Sequence, residues 1–380
     1  MLKTYQEINK KIKEGTAVVL TAEEIKEMAK TASPDEIVRK VDVVTTGTFG
    51  AMCSSGAFLN FGHATPPIRM EKIELNGIQV YGGLAAVDTY IGATDTHPER
   101  ADYGGAHLIE DILRGKDIDL EAWGKGTDCY PRKHIKTKIN INTINEAILY
   151  NPRNAYQNYW VAVNSMNKII HTYMGTLLPQ LGNATYSTSG ELSPLLNDPE
   201  CRTIGIGTRI FLCGTQGYVS WNGTQFHSTK ETNKFNIPTS NARTIAVVGN
   251  LKDMDLNFLR AAYYEKYGNS LFVGIGVPIP ILDEDMARRV SIRNEQIETT
   301  IIDYGNENVI LGKTNYGELQ KGVININGKE VRTAPVSSIA KAREIADILK
   351  HWIKKGDFLL SEAVSSFPIG TSLNKLKEVK

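Results

Sequence analysis

The sequence predicts a mixed fold, α/β or α+β. Three observations point to it: capped helical segments alternate with short β-rich runs, glycine-rich turns separate them, and a long amphipathic helix stands near the end. No fixed-period repeat, low-complexity segment or evident linker interrupts the pattern.

Thr21 can cap a helix, Glu24 completes a capping box, and Ile25, Met28 and Ala29 then share one face. Val41-Asp42-Val43-Val44 reads as a short buried strand. It runs into the stretch 45–56, made largely of Gly, Ser and Thr, where small residues let the backbone approach a ligand closely. Ile73–Leu75 and Ile78–Tyr81 flank Asn76-Gly77, the strongest short hairpin signal. Glycine-rich runs follow at 81–86 and 103–107. A helix is expected over Leu108–Leu113, closed by Gly115. Ile118–Ala122 alternates as a half-buried strand does and delivers the chain to Gly124 and Cys129. Tyr156–Ile170 reads as a helix, 183–193 as a loop, and Thr203–Phe226 as short strands broken by glycine. Asp255–Tyr267 reads as a helix ending at Gly268, Leu271–Val277 as a strand, and Gly328 as a turn after Ile324 and Ile326. In the last helix Ile339, Ala342, Ile345, Ile348, Leu349 and Trp352 form the apolar stripe, Lys354 and Lys355 fill the last turn, and Gly356 stops it.

The 380 residues suggest two domains, or one with a large insertion. With 41% hydrophobic and 22% charged residues this is an ordinary globular composition. A net charge of +1 argues against a nucleic-acid binder that relies on bulk positive charge. The first residues turn polar at once, so no signal peptide is expected. No apolar run reaches the roughly 18 residues of a membrane span, so a cytoplasmic location without membrane association is expected. There the four cysteines, at 53, 129, 201 and 213, stay reduced, and none forms a C-x-x-C pair.

Several motifs fail on their spacing. Gly124-Lys125-Gly126-Thr127 is no phosphate loop, because Asp119 stands at the first glycine position and Gly126 follows the lysine. Gly205-Ile206-Gly207 and Gly274-Ile275-Gly276 are no dinucleotide fingerprints, with Ile210 and Ile279 at the third glycine position. Neither H-E-x-x-H nor a G-x-S-x-G elbow is present.

What remains is cysteine. Cys129 precedes Tyr130-Pro131-Arg132-Lys133-His134, whose positive charge favours the thiolate, while Asp128 opposes it unless turned aside. The alternative is a loop thiol of no consequence. Cys53 sits in the Gly/Ser loop after a strand, either lining a site or filling a tight turn. Cys213, among apolar residues, reads as core, and Cys201 as a loop residue. His63 and His107, beside glycine-rich turns, can move protons or simply satisfy a backbone carbonyl. Asp88, Asp95, Arg69 and Arg132 are candidate anchors for a small zwitterion, against the plainer reading of surface ion pairs.

Three stretches together resemble one family: Val43–Ala57 with its Cys53-Ser54-Ser55-Gly56, Gly83–Asp88, and Gly126-Thr127-Asp128-Cys129-Tyr130-Pro131-Arg132. Gly207–Leu212 and Gly223-Thr224-Gln225 add to them. The chain resembles the homocysteine-biosynthesis domain family of anaerobic archaea and bacteria, over about residues 3–370, with 371–380 a polar tail. The region admits a division into two lobes with a boundary near 150–200.

The resemblance implies an L-aspartate-semialdehyde sulfurtransferase, forming homocysteine from aspartate semialdehyde, a sulfide-derived sulfur and a reductant. It implies Cys129 as the catalytic cysteine and Cys53 as a second thiol. Thr127, Asp128 and Arg132 become substrate-binding candidates, and His107 or His63 the acid that removes the hydroxyl as water. Relatives often carry paired CBS modules, and the usual partner is a small ferredoxin-type protein; neither module is seen in this sequence, so electrons are expected from a separate donor. Two other readings stand beside a Cys129 persulfide. One is an iron–sulfur cluster held by Cys53, Cys129 and one of Cys201 or Cys213. The other is a non-catalytic scaffold or sensor that docks a redox partner.

Overall fold

A computed structural model describes residues 2–378, so the last two residues of the expected polar tail lie outside it. The fold is mixed α and β. The Thr21 capping box forms, and helix α1 (Ala22–Met28) follows it. The largest sheet has nine strands: β1 (Thr48–Ala51), β2 (Gly56–Asn60), β3 (Asp88–Gly92), β4 (Glu146–Asn154), β5 (Arg209–Leu212), β6 (Thr215–Asn222), β7 (Ile245–Asn250), β8 (Leu259–Tyr264) and β9 (Gly268–Gly276). Its order is β8-β9-β5-β6-β7-β4-β2-β3, with β1 also paired to β9. Every pairing is antiparallel. Helix α2 (Gly105–Leu113) packs on β8 and β9 and also on β2 and β3. The two ends of the strand order therefore meet on one helix, and the sheet curls towards a barrel.

The Asn76-Gly77 hairpin forms with both residues left-handed, at φ 48 and 77. Helix α3 (Ile339–Lys355) ends at Gly356 with φ 82, the left-handed stop its sequence announces. It lies against β1 and β9, and Thr45 Oγ1 donates to its Ala346 carbonyl at 2.9 Å. Of the glycines expected to admit a ligand, Gly47 admits this helix instead: a Cβ there would collide with the Ala342 carbonyl.

Two expected helices are strands. Asp255–Tyr267 contains β8, which pairs residue for residue with β9 from Leu259↔Val273 to Tyr264↔Gly268. Its aromatic residues suit a sheet, and tertiary pairing overrides the helical periodicity. Within Tyr156–Ile170 the chain forms the buried strand Val161–Val163, parallel to Glu298–Asp303. Asn158 holds the preceding segment extended, its amide donating to the carbonyls of Pro238 at 2.7 Å and Glu298 at 2.8 Å. The stretch 183–193 also holds a strand, Ala184–Tyr186.

Among the described residues the interior divides into three unequal clusters, the smallest of which buries Tyr159, Ala162, Met174 and Leu177 with Tyr156, Tyr173, Tyr304 and Val336 packed against it. The larger core runs from Ile8 to Phe367 and includes both faces that α2 and α3 cover. A smaller one gathers Val161, Val163, Ala184, Tyr186 and Leu196 with Ile297, Ile301, Tyr316 and Val331 under a six-stranded mixed sheet. The chain thus enters the second core and later returns to it. No helix among the described residues is long and apolar enough to cross a membrane.

Lys26 of α1 is buried at 3% exposure. Its ammonium donates to Asn197 Oδ1 and to the Glu191 carbonyl at 3.1 Å. Burial pushes its pKa down to about 7.

Two predictions follow from this packing. Gly47→Ala should lower stability by about 1–3 kcal/mol, read from thermal or urea unfolding, because α3 must move away. Between pH about 7 and 10.5 the unfolded chain binds the Lys26 proton and the folded chain does not. Stability should therefore rise with pH across that window, and Lys26→Met should flatten the rise in urea titrations at several pH values.

Candidate active site

The segment Met52–Ser55 carries the chain from β1, paired to β9, across to β2, paired to β4. It is tied down on both sides. Met52 donates its N–H to the Leu271 carbonyl at 2.8 Å. Ser54 Oγ donates to the Arg153 carbonyl at 3.1 Å and contacts Asn151 Oδ1 at 3.2 Å, and Asn151 Nδ2 donates to Ser55 Oγ at 2.8 Å. Cys53 sits in the middle of this crossing. Its Sγ lies 3.3 Å from the Tyr267 hydroxyl and 3.5 Å from Ser270 Oγ, which donates to it.

Cys53 opens into a cavity of about 270 Å³. One wall is the β1–β2 crossing with Arg153 and Tyr267. The other comes from a third, small cluster, Tyr159 and Met174 with Tyr156, Tyr173 and Val336 packed against them, and from Ser187. The tyrosines form a connected wall: Tyr173 OH lies 2.9 Å from Tyr159 OH and 2.7 Å from Tyr304 OH, and Trp160 Nε1 donates to Tyr304 OH at 2.5 Å. Burial raises the phenols of Tyr159 and Tyr304 and pushes Tyr264 up to about 12, so these hydroxyls stay protonated. Burial also raises Tyr156 and Tyr267, and the Arg153 guanidinium opposes that rise in both. Arg153 is the one charged side chain among the lining residues.

Cys129 is elsewhere. It is exposed at the tip of a tight loop, where Thr127 and Tyr130 exchange backbone hydrogen bonds of 2.9 and 3.1 Å and Thr127 Oγ1 accepts from Tyr130 N. Asp128 is exposed beside it. The His63 and Tyr130 rings stack at 6.1 Å, and Arg132 Nη2 donates to the Thr65 carbonyl at 2.8 Å. These contacts lie beyond the far end of β2, and Cys53 precedes its near end. The strand between them, Gly56–Asn60, is about 13 Å long at ~3.3 Å per residue.

The structure therefore separates the sequence candidates into groups. Thr127, Asp128, Cys129, Arg132 and His63 share one exposed corner. Cys53 occupies the cavity without them. His107, in α2, lies in a third place: its ring packs on Tyr103 at 5.8 Å, beside Arg100, Glu110 and Asp111. Burial lowers its pKa. Asp95 accepts from Gly92 N at 2.8 Å and Asp88 bonds to Asn60, so both carboxylates serve the β2–β3 region. Arg69 is exposed.

Cys213 is in the core as expected, at the β5–β6 turn with φ 49, its thiol pushed up to about 12 by burial. Cys201, read as a loop thiol, is buried, because the Asp198 carboxylate accepts from the backbone N–H groups of Arg202, Thr203 and Ile204 and folds the loop inward. No group of three His, Cys, Asp or Glu among the described residues is placed to hold a metal ion. Cys53, Cys129, Cys201 and Cys213 form no such group.

Arg153, Tyr267 and the tyrosine wall escaped the sequence reading. Tyr267 fell inside an expected helix, and the second wall is contributed by segments far away in the chain. No short-range pattern in the sequence places them beside Cys53.

An accessible thiol in a small aromatic cavity with a single cation is the equipment of an enzyme that works through cysteine sulfur. The family model described as homocysteine biosynthesis enzyme, sulfur-incorporation, matches residues 17–360, and the chain belongs to that family. It is 48% identical over its whole length to the L-aspartate semialdehyde sulfurtransferase of Methanosarcina acetivorans, covering 74% of that protein. It is 50% identical over 99% of its length to the protein of the same name from Methanocaldococcus jannaschii, covering 75% of it. An uncharacterized protein of Methanothermobacter thermautotrophicus is 27% identical over 83% of the chain and is covered to 71%. No solved structure matches.

Burial orders the thiols. A thiol-specific alkylating reagent should label Cys129 and Cys53 in the native protein, and Cys201 and Cys213 only after unfolding, as read by peptide mass spectrometry.

Proposed function

We propose that this chain makes L-homocysteine from L-aspartate semialdehyde, with the sulfur carried as a persulfide on Cys129. The observation that carries the reading is the contrast between its two accessible thiols. Cys129 stands exposed at a loop tip, with Arg132, Lys133 and His134 following it, where a donor can reach it. Cys53 faces a cavity of small-metabolite size. The name shared by the two relatives at about half identity supports the substrate.

Cys129 accepts sulfane sulfur from a donor persulfide by thiol exchange, with no net change in electrons. The terminal sulfur adds to the aldehyde carbon, and the carbonyl oxygen takes a proton. Two electrons and two protons then cleave the sulfur–sulfur bond, returning the Cys129 thiol. Loss of water leaves a thioaldehyde, and two further electrons and protons give the thiol of homocysteine. A separate ferredoxin-type protein supplies the electrons. His63 is the candidate acid on the Cys129 side, since its ring stacks on Tyr130.

Cys129→Ser should keep the wild-type unfolding midpoint and lose homocysteine formation by at least about a hundredfold. The assay uses L-aspartate semialdehyde, a sulfane donor and a low-potential reductant. Full activity in that variant would sink the persulfide role of Cys129.

A further inference from the structure

We propose that the Cys53 cavity is the aldehyde-binding site: Arg153 takes the substrate carboxylate, and Cys53 adds reversibly to the aldehyde carbon with Tyr267 as the proton donor. The proposal rests on the reaction proposed above and concerns only the site that holds its aldehyde substrate.

The charge pattern selects the ligand. Arg153 is the only charged residue among those lining the cavity, and no Asp or Glu is among them. A guanidinium in that setting suits a carboxylate, which it can bind through two parallel hydrogen bonds. The opposite wall is aromatic, with Tyr156, Tyr159 and Tyr173, and the faces of such rings attract an ammonium group. The cavity's volume of about 270 Å³ is at the small end of ligand sites, as a four-carbon amino acid requires.

Geometry then places the reacting atoms. Arg153 and Cys53 line the same cavity, and Ser54 Oγ, next in the chain to Cys53, donates to the Arg153 carbonyl at 3.1 Å. A substrate held at its carboxylate by Arg153 directs its other end along the cavity floor to Cys53. There the Tyr267 hydroxyl already lies 3.3 Å from the sulfur. In the addition, the sulfur–carbon bond forms and the carbonyl π bond opens. Tyr267 gives its phenolic proton to the new alkoxide and receives the Cys53 proton. No electrons enter or leave. Reversal breaks the sulfur–carbon bond and returns the aldehyde, still anchored at its carboxylate.

The test reads charge at Cys53 without asking for turnover. Native protein is alkylated with iodoacetate or with neutral iodoacetamide, and labelling of Cys53 is followed by peptide mass spectrometry. The ratio of iodoacetate to iodoacetamide rates at Cys53, normalised to the same ratio at a free model thiol, should exceed unity by about threefold to tenfold. It should fall to unity in Arg153→Gln and stay high in Arg153→Lys. L-Aspartate semialdehyde should protect Cys53 from both reagents in the wild type, and less well in Tyr267→Phe. In the activity assay, Arg153→Gln should raise KM about tenfold or more, and Arg153→Lys should recover part of the loss.

A Cys53 ratio of unity in the wild type, or absence of aldehyde protection, overturns the proposal even if homocysteine is made. If no homocysteine forms while protection and the Arg153-dependent ratio persist, the reaction assigned above falls and the aldehyde site stands.

Discussion

The crossing at Met52–Ser55 is the constraint on which the site depends. It joins β1, hydrogen-bonded to β9, to β2, hydrogen-bonded to β4, and so connects two parts of one sheet that its strand order keeps apart. A four-residue link cannot make that step unless the sheet curls, and α2 holds the curl by packing on strands from both ends. Buried backbone groups in such a crossing need partners. The Leu271 carbonyl accepts from Met52 N–H on one side, and on the other Asn151 and the Arg153 carbonyl hold the Ser54 and Ser55 hydroxyls. Cys53 is the residue left facing outward at the seam. Its place is therefore a consequence of sheet closure.

The glycines around the seam serve the same closure. Gly47 meets α3 at backbone distance, and a Cβ on Gly50 would meet Ser337 Oγ at 2.8 Å. The chain just past Ser337 becomes α3, which covers β1 and β9. Small residues here bring a helix and a sheet together, and Val336, two residues before that helix's cap, lines the cavity as a result. Packing and site are coupled through this one junction.

The smallest cluster completes what the first core begins. It supplies Tyr156, Tyr159 and Tyr173, opposite the thiol. Without that wall Cys53 would lie on an open sheet edge. With it, the thiol gains a low-dielectric, hydroxyl-rich enclosure and one guanidinium. Cys129 has the opposite environment, a solvent-exposed loop rich in basic residues. The thiols of Cys53 and Cys129 thus stand in different physical situations.

Local determinants were legible in the sequence wherever a short-range rule decided the outcome. The Thr21 capping box, the Asn76-Gly77 hairpin, the alternation of Ile118–Trp123 and the Gly356 stop each follow from contacts within a few residues. The motifs around Cys53 and Cys129 likewise marked the family from the chain alone. Tertiary structure decided the rest. β8 has a helical rhythm that long-range pairing with β9 overrode, and Val161–Val163 became a strand because Glu298–Asp303 lies beside it. The cavity is the extreme case: its walls come from Met52, Arg153, Tyr173, Tyr267 and Val336, spread over most of the chain. No local pattern encodes that meeting. The sequence by itself determined which thiols and which short elements exist; only the closure of the sheet decided that Cys53 shares a cavity with Arg153 and Tyr267 while Cys129 remains at the surface, because side chains distant in sequence become neighbours only through packing.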